Sequence, residues 1–300
     1  MKPLPLKKRR FYFILLCVVF LAIIPIILLY TNGYRINSKF EIVETGGIYI
    51  YSPQAGSDIY INNKKKDETT IFNKDIFVQN LKPGTYKILI AKVGFWPWAK
   101  EVEVKERHVA EAIAFLIPKQ PDWKIIPKYI NNDKNKKATT SPATEGEINP
   151  VYSKTLKLFK EKYDEKTQIA SSANSGTTTK NKMEELSKRK KIRLWRDDTQ
   201  IFATWLGDEK YIPNYFCRIN ECQNTILVFS GTEEIRSLGF YPGRDDVILI
   251  AIGNGIYALE IDSRSYQNFQ PLYKGTAPIF VLNGKTLYAK DKNLIFSLTL

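Results

Sequence analysis

Residues 246–262 read DVILIAIGNGIYALEID, two apolar runs on either side of a Gly253-Asn254 pair. Short runs of aliphatic and aromatic residues bounded by turn residues are typical of buried strands joined by a tight turn. Further runs of this kind precede and follow the pair between residues 192 and 300. We therefore predict that the chain is mainly β and that residues 192–300 form a strand-rich module.

Four such runs lie within residues 234–273, which is about the length and strand number of one β-propeller blade. In Phe240-Tyr241-Pro242-Gly243 and in residues 255–262, the module resembles WD40-like and TolB-type β-propeller repeats. Its length suffices for about three blades, whereas a closed ring has about four to eight. We expect a partial propeller-like domain whose edges are covered by helices within residues 150–190 or by another copy.

Residues 11–30 read FYFILLCVVFLAIIPIILLY, twenty residues without a charge. A helix of this length spans about 30 Å, the thickness of the hydrocarbon core. Residues 1–10 form a basic tail, which favours a cytoplasmic N-terminus and extracytoplasmic domains. A cleaved signal peptide and a lipidated Cys17 are the alternatives, but the run lacks the small residues that either would need. We predict an uncleaved, single-pass signal anchor in the cell membrane, with lipid as the partner of residues 11–30.

The formal net charge of +14 is distributed unevenly. Residues 119–191 carry 17 basic and 9 acidic residues, whereas residues 192–300 carry 11 and 12. Nucleic-acid binding needs positive charge on one face of a folded domain, so we expect no nucleic-acid partner. With one His and three Cys, the chain has no set of residues for a multi-Cys zinc module, and we expect neither a metal nor a cofactor.

Residues 40–118 contain several short runs of β-branched and aromatic residues, which predict a small antiparallel β-sandwich. The loops carry residues at a characteristic spacing: Pro53, Leu81, Pro83, Gly84, Tyr86, Gly94, Phe95 and Trp98. In these positions, the segment from about residue 45 to residue 118 resembles the PEGA-domain family. The resemblance implies a non-catalytic β-sandwich of envelope and surface proteins, for which attachment to surface polymers is often supposed.

Phe95, Trp96 and Trp98 form an aromatic cluster. The resemblance implies that Phe95 and Trp98 pack between strands. Trp96 would point to the opposite face from Phe95 in an extended chain. Trp96 is therefore the candidate binding surface, for a sugar ring or a partner.

Residues 119–191 are rich in Lys, Asn, Thr and Pro and predict a polar linker with short helices. Asn149 and Pro150 offer an N-cap and a first-turn proline for a helix. Its apolar face would consist of Tyr152, Leu156, Phe159 and Tyr163. Asn181 and Glu184 have the spacing of a capping box, which predicts a second short helix. It would end in the basic residues 188–191, which we interpret as a solvated helix end.

Cys217 and Cys222 are separated by four residues that can form a tight turn. A hairpin brings its flanking residues to a Cα distance of about 5.5 Å, within disulfide range. A zinc site would need further ligands, a redox pair usually has the shorter Cys-x-x-Cys spacing, and two reduced thiols are the remaining alternative. Because disulfides persist outside the cytoplasm, we predict a Cys217–Cys222 disulfide that fixes a local hairpin.

The sequence favours a membrane-anchored, extracytoplasmic binding or scaffold protein of the cell envelope without catalytic activity. Its ligands would be cell-wall or surface polysaccharide, or envelope proteins. A sensor or regulatory subunit of an envelope complex is the alternative, and an envelope hydrolase is a third. His108 lies in a charged turn, with no motif that places a nucleophile or carboxylate beside it, which argues against the hydrolase.

Overall fold

The computed structural model of the chain describes residues 5–36, 40–130, 147–171, 183–187, 191–218 and 221–300. It divides into two compact units. The first unit comprises Met1–Val93 and Pro97–Leu116, and the second comprises Gly94–Trp96 and Ile117–Leu300. Both units consist mainly of β-strands, as the sequence predicts.

The first unit begins with helix α1, Leu6–Thr31, whose 26 residues rise about 39 Å. Pro25 lies inside the helix without ending it. The segment Lys7–Thr31 is long and apolar enough to cross a membrane, and its most apolar part is not buried at all. The helix therefore includes the predicted span of residues 11–30.

After α1, the described residues of the first unit form nine strands. They are β1 (Tyr34–Ile36), β2 (Ile42–Glu44), β3 (Gly46–Tyr51), β4 (Asp58–Ile61), β5 (Lys64–Glu68), β6 (Asp75–Leu81), β7 (Gly84–Ala91), β8 (Trp98–Val104) and β9 (Val109–Ile113). Strands β1 and β2 form a hairpin directly after α1. The others form two sheets with the orders β6-β3-β9 and β5-β4-β7-β8. Only β3–β9 is a parallel pair among the described pairs of this unit.

Alternate residues of these two sheets form the core of the first unit. Ile48 and Ile50 of β3 are fully buried, as is Ile59 of β4. Ile90 of β7 and Trp98 of β8 are buried in the same core, at 0% and 2% exposure. The period of two places one face of each sheet in the core and the other toward solvent, as in a β-sandwich.

In the part of the second unit that the structure describes, there are helix α2, Pro150–Ser171, and sixteen strands. The strands are β10 (Lys124–Ile126), β11 (Tyr129–Ile130), β12 (Glu147–Ile148), β13 (Met183–Leu186), β14 (Ile192–Arg196), β15 (Gln200–Trp205), β16 (Cys217–Arg218), β17 (Glu221–Cys222), β18 (Thr225–Ser230), β19 (Ile235–Phe240), β20 (Val247–Ile252), β21 (Gly255–Glu260), β22 (Phe269–Lys274), β23 (Ile279–Asn283), β24 (Thr286–Asp291) and β25 (Leu294–Thr299). Two short 3-10 helices, Glu209–Tyr211 and Asn214–Phe216, precede β16.

Three antiparallel sheets of four strands account for most of this unit in the described part of the chain. Their strand orders are β13-β14-β15-β18, β19-β20-β21-β22 and β10-β25-β24-β23. The middle sheet contains the four runs that the sequence assigns to one blade, and all six residues of β20 are buried. Blade-sized sheets are therefore present, but these sheets do not form a closed ring, so a propeller remains a prediction.

The prediction of a polar linker for residues 119–191 is wrong in two places. β10 forms an edge of the last sheet by pairing with β25, with Lys124 opposite Ser297. The predicted second short helix is instead the strand β13, which pairs with β14 through Glu184 opposite Trp195. Met, Glu and Leu favour helices, but pairing with a neighbouring strand overrides that weak local preference. Asn181 and residues 188–190 lie outside the described residues.

The first predicted helix of the linker is confirmed as α2. The Asn149 side-chain oxygen accepts a hydrogen bond of 2.9 Å from the Val151 backbone N–H, which satisfies one free donor of the first turn. Phe159, on the predicted apolar face, is buried at 4% exposure. Tyr163 from the same face stacks on Phe159, with 6.3 Å between ring centroids.

Two consecutive residues of α2 connect the edge strands of all three sheets. Lys162 Nζ lies 2.8 Å from Glu185 Oε1 in β13 and donates to the Leu238 carbonyl in β19 at 3.2 Å. Tyr163 Oη donates to the Phe280 carbonyl in β23 at 2.9 Å and lies 2.6 Å from Ser237 Oγ in β19. Burial raises the pKa of Tyr163 to about 12, so its hydroxyl remains protonated as a donor.

Ser237 completes a ring of three hydrogen bonds. The Phe280 backbone N–H donates to Ser237 Oγ at 2.9 Å. Because Tyr163 donates its proton to Phe280, the Ser237 hydroxyl must be the donor to Tyr163. Each of the three groups thus donates once and accepts once, and the ring joins α2, β19 and β23.

We predict that Tyr163→Phe destabilises the second unit by about 1–3 kcal/mol, because it leaves buried partners of the hydroxyl unsatisfied. Hydrogen exchange of the full chain in detergent, read by mass spectrometry, should show faster exchange in α2 and β19. Tyr211→Phe is the matched control, because Tyr211 is 64% exposed. Equal exchange in the two variants would contradict a stabilising role for the ring.

Candidate functional site

The residues with the spacing of the predicted sandwich family lie mainly at turns of the first unit. Leu81 ends β6, Pro83 follows, and Gly84 begins β7 with a φ of +148°. That backbone conformation strongly favours glycine. The Tyr86 hydroxyl donates to the Lys82 carbonyl at 2.9 Å and fixes the same turn. Pro53 is half-buried in the loop between β3 and β4.

The aromatic cluster of residues 95–98 has members with different environments. Trp98 is buried at 2% exposure in the first unit, as predicted. In the second unit, Gly94 has a φ of +82° and Phe95 forms an isolated bridge with Pro118. The burial of Trp98 agrees with the interpretation that it packs between strands, and the packing of the Phe95 ring stays a prediction.

Trp96, the predicted binding surface, is partly exposed in the second unit. Its backbone N–H donates to the Ile117 carbonyl at 2.8 Å, and Lys119 Nζ lies 5.6 Å from the ring centroid. Its indole Nε1 is buried and has no acceptor in the described part of the chain. The ring of Trp96 is thus partly exposed with a cation near it, and its binding role stays a prediction.

The predicted disulfide between Cys217 and Cys222 is present in the second unit. The two residues pair directly across the β16–β17 hairpin, with their Cα atoms 3.9 Å apart. In the adjacent pair of the hairpin, Phe216 and Gln223, the Gln223 N–H donates a hydrogen bond to the Phe216 carbonyl. The cysteines therefore occupy a non-hydrogen-bonded position, where Cα atoms lie closer than the expected distance of about 5.5 Å.

A buried aromatic residue anchors this hairpin. Phe216, directly before Cys217, is 1% exposed, and its ring lies 6.3 Å from that of Trp205 in the core. Its N–H donates to the Pro213 carbonyl at 2.9 Å. The disulfide thus closes a short hairpin whose base is already fixed to the core, so its effect is local.

A cleft of about 520 Å³ lies beside the hairpin. Arg218 of the hairpin, Phe229 of β18, and Ser263 and Gln267 of the loop after β21 are among its lining residues. Gln267 Nε2 donates to the Val228 and Glu260 carbonyls, both at 2.8 Å, and so joins the first sheet to the second. Gln267 is therefore held in place, and the cleft is lined by guanidinium, hydroxyl and amide groups beside an apolar strand.

Three stacked aromatic rings continue this surface. Tyr257 and Phe269 stack at 4.7 Å, and Phe269 and Phe229 stack at 6.0 Å, with interplanar angles of 18° and 23°. We call Phe229, Phe269 and Tyr257 the aromatic ladder. Phe269 is 42% exposed, so one side of the ladder remains open to a ligand. Aromatic residues and Arg are enriched where proteins bind partners.

The sequence did not indicate the aromatic ladder. Its rings come from β18, β21 and β22, and Phe229 and Phe269 are 40 positions apart in two different sheets. No short spacing in the chain therefore marks them. The role of Gln267 could not be predicted either, because it depends on two backbone carbonyls from separate sheets.

Two further polar groups have plain structural roles. Arg244 pairs with Asp246 through two contacts of 2.7 Å, which fixes the turn before β20. His108 lies in an exposed turn, and its Nδ1 is 2.6 Å from the Glu106 carbonyl. The described residues contain no group of three or more His, Cys, Asp or Glu positioned to hold a metal ion.

Part of the first unit matches a known protein family. Residues 45–119 match the family model of the PEGA domain. The match covers about a quarter of the chain and spans β3 to β9, the two sheets of the sandwich. Among curated proteins, no relative of the chain was found.

The turn residues of the first unit described above all lie within the matched segment. The sequence predicts a PEGA-like segment from about residue 45 to residue 118, and the match confirms it within one residue at the C-terminal end. Helix α1 ends at Thr31, only a short hairpin before the domain begins. The segment that matches the PEGA domain therefore follows an apolar helix, with β1 and β2 between them.

We predict that unreduced, denatured protein takes up one equivalent of alkylating reagent, at Cys17, and three after reduction. The Cys217→Ser/Cys222→Ser variant should lose less than the roughly 3 kcal/mol expected for a fifteen-residue loop, because this loop is shorter. Its melting temperature should therefore fall only modestly. Cys17→Ser is the control and should take up no reagent before reduction. Free thiols at 217 and 222 would contradict the disulfide and count against export.

Proposed function

We propose that this protein is a membrane-anchored, extracytoplasmic, non-catalytic binding or scaffold protein of the cell envelope. Helix α1 is the observation that carries the proposal. Its apolar side chains are exposed, and transfer into a bilayer would remove them from water. The basic residues before it favour a cytoplasmic N-terminus, with both β-rich units on the other side.

The Cys217–Cys222 disulfide supports the same side for the second unit. Disulfides persist in oxidising compartments and are rare in the cytosol. This hairpin is a short surface element with a buried anchor, so it has little need of a crosslink for folding. A crosslink at such a position reduces local opening of the hairpin. Local opening exposes the chain to proteases, which an extracytoplasmic protein meets without the help of cytosolic chaperones.

The mechanism that we propose is tethering. An anchor confines the PEGA domain and the second unit to the membrane, which raises the effective concentration for weak contacts with other envelope components. The cleft beside the disulfide hairpin and the aromatic ladder form the contact surface of the second unit. Its ligand is a surface polysaccharide or an envelope protein.

The alternative function is that of a sensor or regulatory subunit in an envelope complex. The combination of exposed Phe269 and Leu227, each at 42% exposure, with Arg218 nearby favours a protein ligand. Partly exposed aromatic rings and Arg beside a cleft resemble the residues that carry most binding energy at protein interfaces.

Catalysis is not part of the proposal. His108 lies in an exposed turn with its Nδ1 2.6 Å from the Glu106 carbonyl, and the proposal gives it no role in proton transfer. The hydrolase alternative requires a turnover that is lost in His108→Ala. Such a turnover would contradict the proposal.

The topology can be tested with protease added to spheroplasts. We expect digestion of residues 32–300 and protection of the N-terminal tail, because the basic residues hold that tail in the cytoplasm. Epitope tags at the two ends, read on a blot, distinguish the fragments. Protection of the second unit until the membrane is permeabilised would contradict the orientation and reopen the question of nucleic-acid binding.

The ligand class can be tested by affinity recovery of the full chain from solubilised membranes. We expect Phe269→Ala to reduce recovery, because it removes the central ring of the aromatic ladder. Tyr211→Ala is the matched control, an exposed aromatic residue of the same unit outside the ladder. Cell-wall polymer would support the first function, and one stoichiometric protein would support the alternative. Equal recovery in both variants would contradict the ladder as the contact surface.

A further inference from the structure

The hairpin of β1 and β2 carries an exposed apolar cluster. Ile36 is 71% exposed, Phe40 is 90% exposed and Ile42 is 62% exposed. Ile36 and Ile42 are direct partners in the hairpin, so their side chains lie on the same face. Three large apolar side chains in water at one end of a two-stranded ribbon are unfavourable unless another apolar phase covers them.

The backbone of Phe40 indicates that this exposure is not incidental. Its φ of +62° lies in the left-handed region, which is uncommon for residues other than glycine and a genuine outlier for a bulky side chain. Gly or Asn would adopt this conformation at lower cost. A Phe at such a position holds a large ring outward at a conformational cost, which points from the strained residue toward a function.

The cluster lies close to the end of α1. The helix ends at Thr31 and β1 begins at Tyr34, three residues later. A strand rises about 3.3 Å per residue, so Ile36 is within roughly 10 Å of Gly33. Interfacial side chains enter the boundary of headgroups and acyl chains by about 5–10 Å. The cluster is therefore within reach of the surface of any bilayer that α1 spans.

Polar contacts fix the hairpin to the helix. The Arg35 guanidinium donates from Nη1 to the Tyr30 carbonyl at 2.6 Å and lies 3.6 Å from the centroid of the Tyr30 ring. Its Nε donates to Asn80 Oδ1 of β6 at 2.6 Å. The Thr45 N–H and hydroxyl both donate to the Gly33 carbonyl, at 2.9 and 2.8 Å. The hairpin therefore has a set position between the end of α1 and the sandwich.

We infer that Ile36, Phe40 and Ile42 insert into the interface of the bilayer that α1 spans, as a second membrane contact. The occupant of this apolar face is the lipid surface, because the hairpin begins three residues after α1, whose apolar side chains are themselves exposed. A second contact fixes the orientation of the sandwich relative to the membrane, since a single helix leaves rotation about its axis free. The inference depends on the proposed membrane anchor.

The experiment uses the full chain in lipid bilayers, in a Cys17→Ser background. Phe40→Cys is labelled with a polarity-sensitive fluorophore without reducing agent, so that the disulfide stays closed. Phe72→Cys is the matched control, because Phe72 is 99% exposed in the loop between β5 and β6. That loop is near the far end of β3, about 17 Å along the strand from the hairpin.

We expect the label at position 40 to emit at shorter wavelength than the label at position 72. It should also lose emission to lipids that carry a quencher near the headgroup. Quenching of both labels by soluble iodide alone would overturn the inference. Protection of position 40 from iodide without quenching by lipid would also overturn it, because protein would then cover the cluster.

Alkaline extraction of membranes that contain the unlabelled full chain separates this inference from the proposed function. Release of the protein from the membrane would contradict the anchor itself. Retention together with an unquenched label at position 40 would contradict only the second contact. A chain with Ile36→Ser, Phe40→Ser and Ile42→Ser should still be retained, because α1 alone spans the bilayer.

Discussion

A strand at the edge of a sheet presents backbone N–H and C=O groups that need partners. In the second unit, β13, β19 and β23 are edge strands of three separate sheets, and all three are contacted by residues of α2. Lys162 and Tyr163 satisfy carbonyls of β19 and β23 while burying the face of the helix. Covering an edge with a helix is one way in which proteins prevent unwanted strand pairing. The arrangement of the unit therefore depends on a helix that lies in a segment with the composition of a linker.

The described residues of the first unit are held together without a covering helix. The sandwich buries alternate residues of two sheets, and its turns are fixed by glycine conformations and a Tyr86 hydroxyl rather than by a helix. The matched segment of 75 residues thus builds its core mainly from strands. The apolar helix before it adds nothing to that core, which is why its surface is available to lipid.

Local patterns predicted the elements whose signals lie within one short stretch. These are the apolar span, the strands between residues 235 and 274, the cap at Asn149 and the cysteine hairpin. The failures were elements that depend on distant partners. The segment that forms β13 has the local preference of a helix, and β10 contains only three residues, so neither is recognisable before β14 and β25 are placed. The aromatic ladder and the hydrogen-bond ring at Tyr163 likewise join residues from separate strands.

The pairing of β10 with β25 has a consequence for how the chain folds. Lys124 and Ser297 are partners across 173 positions, and the Trp123 indole donates to the Leu272 carbonyl beside them. During synthesis, β10 leaves the ribosome long before its partner, whereas the middle sheet is made of strands adjacent in sequence. Closing such a long loop lowers the conformational entropy of the chain before the contact between the two strands can stabilise it. The middle sheet can form as its strands emerge, while the last sheet must wait for the final strand. In the orientation proposed above, β10 would cross the membrane unpaired, and the second unit would reach its final form only once β25 had followed.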